Sequence, residues 1–164
     1  MVKLTKSLVG AVVLGAVAII AGTGGPAMAA EGKAAIEMRV KFMKNDVLGP
    51  FKVIKGYVKK SMGSAADVAA AASKINAAAA KIPGLFPKGT SRGEFDEKTT
   101  RAPPKIWQDW KGFEAAARRL ADESVKVAKV AGGGDKAAIG KQFGTMAKMG
   151  CGGCHKPFRG AKVK

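Results

Sequence analysis

Cys151, Cys154 and His155 stand together in the run MGCGGCHKPFR, residues 149–159, and they are the only cysteines and the only histidine among 164 residues. Three chemistries draw on such a set. A structural zinc site takes four thiolate or imidazole ligands, commonly from two Cys pairs or a Cys pair with a distal His pair. This chain would have to complete that shell with carboxylates. A thioredoxin-like dithiol sits at the start of a helix that follows a strand, where the helix dipole lowers a thiol pKa; no strand pattern precedes Cys151. The third chemistry is covalent haem attachment, for which C-x-x-C-H is the motif. Three apart on a helix, Cys151 and Cys154 share a face, so each can bond one porphyrin vinyl group. His155 follows at once and can offer a ring nitrogen to the iron as proximal ligand. Gly152 and Gly153 keep bulk away from the macrocycle. The spacing predicts one covalently bound haem c, with its iron, on the C-terminal helix.

The elements that must position this motif read as helices, because larger apolar residues recur at three and four with no alternating strand pattern. The first stripe is Ile36, Val40, Met43, Val47, Ile54 and Val58, interrupted by Pro50. Pro50 cannot donate to the Asp46 carbonyl, which predicts a kink rather than an end. Ser64 and Asp67 have the spacing of a capping box for a second helix, with its stripe at Val68, Ala72, Ile75, Ala79 and Ile82 and a stop at Pro83-Gly84. Residues 84–103 form an unusually long connection, a length that tends to carry a function. Pro104 suits the first turn of a third helix with Ile106, Trp110, Phe113, Ala117, Leu120, Ser124 and Val127 on its stripe. After Gly132-Gly133-Gly134, Asp135 can cap a fourth helix carrying Ile139, Phe143 and Met146 into the cysteine motif. The expectation is an all-α, antiparallel four-helix bundle.

The N-terminus reads as a leader. Lys3 and Lys6 precede an uncharged run, Leu8 to Gly22, and Ala27-Met28-Ala29 has the small-x-small form of a cleavage site. The run is shorter than the ~20 residues of a spanning helix. A signal peptide over 1–29 and a single domain over 30–164 are expected, with export to the periplasm of a bacterium. The 29 Lys and Arg against 12 Asp and Glu give a formal charge of +17. That excess suggests an anionic partner, an acidic redox protein or a membrane-bound electron-transfer complex, with a merely solvated lysine-rich surface as the alternative. Nucleic acid fits poorly, since the basic residues are scattered and aromatics are few.

The chain resembles cytochrome c′ and its low-spin relatives, the class II c-type cytochromes. The residues that carry the resemblance are RVKFM (39–43), LFPKGT (85–90), RAPPKIW (101–107) and CGGCHKPFR (151–159), and it spans essentially the whole chain after the leader. The haem motif near the C-terminus is its most specific element. The resemblance implies a haem inside the bundle, with the fourth helix on its proximal side and the first on its distal side. It makes Met43 the candidate distal iron ligand and Arg39 the candidate partner of a haem propionate. Plain core packing for Met43 and a solvated surface site for Arg39 are the alternatives. Arg159 matches a basic residue beside the proximal histidine, with Pro157 as a departure between them, and Trp107 matches the tryptophan after the long loop. Family members are often homodimers through their first two helices, and nothing in this sequence decides between monomer and dimer.

Two functions follow as expectations. One is a periplasmic carrier of single electrons, with His155 and Met43 as axial ligands. The alternative is a five-coordinate protein that binds nitric oxide or carbon monoxide at an open distal site. An enzyme is not expected, because no His or Cys remains for acid–base or nucleophilic work and no carboxylate pair stands out.

Overall fold

The computed structural model describes residues 26–163. In order they form α1 (Pro26–Phe42), a π-helical segment (Met43–Leu48), α2 (Gly49–Lys60), α3 (Ala65–Ala79), a 3-10 turn (Pro83–Leu85), α4 (Lys105–Gln108), α5 (Trp110–Gly132), α6 (Lys136–Thr145), a second π-helical segment (Met146–Gly152) and α7 (Gly153–Phe158). These build four rods: 26–60, then α3, then α4 with α5, then 136–158. The result is the antiparallel four-helix bundle that the spacing predicts. Residues 1–25 of the expected leader lie outside the described residues, and 26–29 form the start of α1. Among the described residues no helix is long and apolar enough to cross a membrane.

Local chemistry sets the helix ends. The Ser64 hydroxyl accepts from the Asp67 N–H at 3.1 Å, and Asp67 Oδ2 accepts from the Ser64 N–H at 2.8 Å. This reciprocal box satisfies donors that the first turn of α3 would otherwise leave open. Asp135 caps α6 by accepting from Ala137 N–H at 2.8 Å. The third rod is broken where a continuous helix was expected. Asp109 leaves helical geometry (φ −122°, ψ 58°) and its carboxylate accepts from the Gly112 N–H, restarting the helix as α5. An aspartate competes with the backbone for hydrogen bonds, which favours caps over helix interiors.

Side chains at the expected spacing of α3, α5 and α6 fill the core. Val68, Ala72, Ile75, Ala79, Ile106, Phe113, Leu120, Val127, Ile139 and Met146 are all buried. The alanine-rich face of α3 lets its backbone come close to α5, and these two rods make the most extensive packing. The first rod differs from its expected stripe at one position. Val40 is exposed, and Arg39 is buried in its place at 4% relative exposure. From Ile36 the buried face continues by a step of three rather than four, so the cation turns inward and the valine turns out.

Pro50 produces a change of helix type rather than a simple kink. The Gly49 N–H reaches Lys44 O, five residues back, so the turn widens just before the proline. A widened turn reroutes backbone hydrogen bonds around the N–H that Pro50 lacks. The second π segment lies in the fourth rod and ends inside the C-x-x-C-H motif, taking in Cys151.

Candidate haem site

Cys151 lies in the second π segment, and Cys154 and His155 lie in α7. Gly150, immediately before Cys151, sits against α5. A Cβ added there would lie 3.2 Å from Leu120 Cα and 2.9 Å from its Cδ1. Glycine at 150 therefore allows the fourth rod to approach α5 closely just where the motif begins. The two cysteines are unpaired and half-buried. Burial pushes both thiols above their ordinary range, Cys154 to about 11 with a further contribution from Cys151. A redox dithiol needs the opposite shift, toward an available thiolate. His155 is exposed, and partial desolvation together with Arg159 and Arg101 holds it below the usual histidine value. Among the described residues no three His, Cys, Asp or Glu side chains form a group that could hold a metal ion. Two half-buried thiols beside an outward imidazole fit two anchors and one ligand for a single flat group.

Aromatic side chains gather beside this end of the bundle. Phe86 stacks edge-on against Phe113 at 4.8 Å, and Phe113 meets Phe158 at 5.5 Å and Trp110 at 5.6 Å. Trp107 and Trp110 are both half-buried, and the Trp107 Nε1–H donates to Phe86 O at 3.1 Å. That bond satisfies the indole donor and orders the start of the long loop against α4. α7 ends at Phe158, directly after Pro157, and Arg159 is extended (φ −131°, ψ 115°). Arg159 therefore does not follow His155 on the next helical turn.

Arg39 is held by the long loop. Its Nη1 donates to Thr90 Oγ1 at 2.7 Å, and its Nη2 donates to Thr90 O at 2.7 Å and Thr100 Oγ1 at 2.6 Å. Its guanidinium carbon lies 4.7 Å from the Phe86 ring centre. Burial lowers its pKa to about 10, so it stays charged at neutral pH. Among the described residues no carboxylate pairs with it. A buried cation without an anionic partner suits an acidic group supplied by a ligand, as a haem propionate would be. Thr90 and Thr100 are the residues that sequence reasoning missed. Thr90 ends the LFPKGT stretch and Thr100 directly precedes RAPPKIW, but neither spacing assigned them to Arg39.

Met43 opens the first π segment, one turn beyond Arg39, and is half-buried against the core. Met146 is fully buried among core residues, where its sulfur accepts from the Ser124 hydroxyl at 3.5 Å. Met38 and Met149 are exposed. The first and fourth rods meet through α2 and α6, where Phe51 and Phe143 pack at 4.9 Å. Toward α1 and α7 the two rods share no extensive packing. Met43 and the Cys151–His155 motif thus lie on stretches of the first and fourth rods that share no extensive packing.

A family model described as cytochrome C' matches residues 34–159. Cytochrome c' of Rhodospirillum rubrum is 30% identical over 133 residues, covering 81% of this chain and 86% of the relative. The structure of cytochrome c' from Rhodobacter Spheriodes superposes with a TM-score of 0.69 at 25% identity, over 79% of this chain and 97% of that one. A further cytochrome c' structure, reported for an unusual ligand-controlled dimer dissociation, is 26% identical with a TM-score of 0.64, over the same shares of the two chains.

Proposed function

Because the chain belongs to the cytochrome c′ family of proteins with covalently attached haem c, we propose that it carries single electrons between partner proteins in the periplasm. Bound haem c supplies an iron that changes charge by one electron. Cys151 and Cys154 are its anchors, His155 its proximal ligand, Met43 its distal ligand and Arg39 the cation for a propionate. The observation that carries this reading is the position of Met43. It is half-buried one turn from a buried, carboxylate-free Arg39, on a stretch of the first rod that shares no extensive packing with α7. The other methionines named above are either packed in the core or exposed. A thioether ligand keeps the coordination nearly constant between oxidation states and raises the potential. The surrounding apolar side chains lower the local dielectric, which adds to the same effect. The leader over 1–29 delivers the chain to the compartment where the thioethers form.

The second reading is a gas binder with an open distal site, regulated through its oligomeric state. The relative with ligand-controlled dimer dissociation favours it. Carbon monoxide titration of the ferrous holoprotein separates the two. A methionine-ligated carrier takes up carbon monoxide weakly, since the thioether must leave first, and mass spectrometry of the exported chain finds haem on Cys151 and Cys154 with Ala30 at the N-terminus. Tight, stoichiometric uptake would favour the gas binder, and two free thiols would remove both readings.

A further inference from the structure

The long loop folds into two legs that touch both sides of the site. Thr90 and Thr100 hold Arg39 on the first rod. One residue on from Thr100, Arg101 makes a reciprocal pair with the segment after the haem motif. Its Nε–H donates to Gly160 O at 2.9 Å, and its carbonyl accepts from the Gly160 N–H at 2.8 Å. The other leg repeats the arrangement, because Arg92 Nη2 donates to Ala161 O at 2.8 Å. The legs are tied to each other by the Arg92 N–H, which donates to Ala102 O at 2.7 Å. A side chain at 160 would be tightly placed here, since a Cβ would lie 3.1 Å from both Arg101 O and Arg92 Cζ. The first and fourth rods do not pack extensively on each other at this end. The loop is a hydrogen-bonded link between them, and Thr100 and Arg101 are adjacent in it.

We propose that Thr100 and Arg101 form a positioning clasp. It joins the helix bearing Arg39 and Met43 to the segment after His155, and so sets how far the two sides of the haem crevice open. The clasp rests on the reading above that the haem lies between these rods, but not on Met43 being an iron ligand. Loosening one end releases the other, because both ends share the same two legs. Access of a small neutral molecule to the distal side then rises, with no contribution from changed surface charge.

The test uses the full holoprotein and two readouts, hydrogen exchange at the Gly160 amide and carbon monoxide association with the ferrous form after flash photolysis. Thr100→Val removes the acceptor for Arg39 and for the Ala102 N–H, which donates to the same hydroxyl at 3.2 Å, and Thr100→Ser retains both. The clasp predicts that Thr100→Val raises both rates about ten- to a hundredfold, the effect of losing a hydrogen bond to a charged group. Thr100→Ser stays at the wild-type value. Arg101→Gln speeds carbon monoxide association similarly, and the double variant is no faster than the faster single one, because both open the same link. Unchanged exchange at Gly160 in Thr100→Val overturns the proposal. Faster exchange with an unchanged carbon monoxide rate, or multiplied effects in the double variant, overturns it as well. Should Thr100→Val fail to load haem, Arg101→Lys keeps the charge and displaces the donor, and the same two rates decide. Met43→Ala, run in parallel for its spectrum, reports on the ligand reading alone.

Discussion

A buried arginine is costly unless its donors are satisfied, and Arg39 shows what the cost achieves. Two threonines and one carbonyl take three of its hydrogen bonds, and the face of Phe86 takes part of its charge. Replacing it by methionine, which fills similar space, leaves Thr90 O and the two hydroxyl oxygens without that donor. Arg39→Met is expected to lower stability by about 2–4 kcal/mol, read by urea unfolding of the holoprotein. A loss below ~0.5 kcal/mol would mean that the loop does not depend on this cation. The family's covalent haem c was legible in the sequence, since Cys, Cys and His at that spacing leave zinc and dithiol chemistry without their other requirements. The partners of Arg39 were not legible. Threonines in a polar loop look like solvent-facing residues until the chain is folded back over the first rod, and Val40 looked a better core residue than its charged neighbour.

Among the elements, the helices were read correctly wherever the buried face repeats regularly. The spacing of α3 and the capping box at Ser64 are examples. Reading failed where hydrogen-bond chemistry overrides periodicity. Asp109 breaks the third rod by capping α5, and Pro50 converts the preceding turn to π geometry. Neither event alters the apolar pattern, so the pattern did not report them. The two π segments fall at Met43–Leu48 and Met146–Gly152, one opening at the distal candidate and one containing Cys151. Wide turns of this kind recur at functional sites because they re-aim side chains within a continuous helix. Packing of the fourth rod depends on Gly150. Gly150→Ala sets a Cβ against the Leu120 backbone and is expected to destabilise by about 1–3 kcal/mol, despite alanine's better helix propensity. Gly144→Ala meets nothing within 4 Å and is expected to stabilise by up to ~1 kcal/mol. Equal effects in the two variants, measured by thermal unfolding, would contradict the close approach.

For the whole molecule, shape and charge divide the work. The first and fourth rods pack at the α2 and α6 end through Phe51 and Phe143, and at the other end the long loop is hydrogen-bonded to Arg39 and to the segment after α7. That arrangement gives a site with one anchored wall and one wall held by the loop. The basic excess of the sequence acts at longer range. At neutral pH an acidic redox partner is expected to associate more slowly as salt rises, because the attraction is screened beyond ~10 Å at 0.1 M ionic strength. Stopped-flow electron transfer at 20 and 200 mM salt checks this, and a rate flat in ionic strength would exclude charge-steered docking.

The proposed electron-carrier role turns on whether Met43 completes the coordination of an iron held by His155. Visible absorption spectra of the ferric and ferrous holoprotein at neutral pH, compared with Met43→Ala, test it directly. With methionine bound, low-spin spectra are expected in both oxidation states of the wild type, with conversion to high spin on removal of the thioether. A high-spin wild type that Met43→Ala leaves unchanged would contradict it.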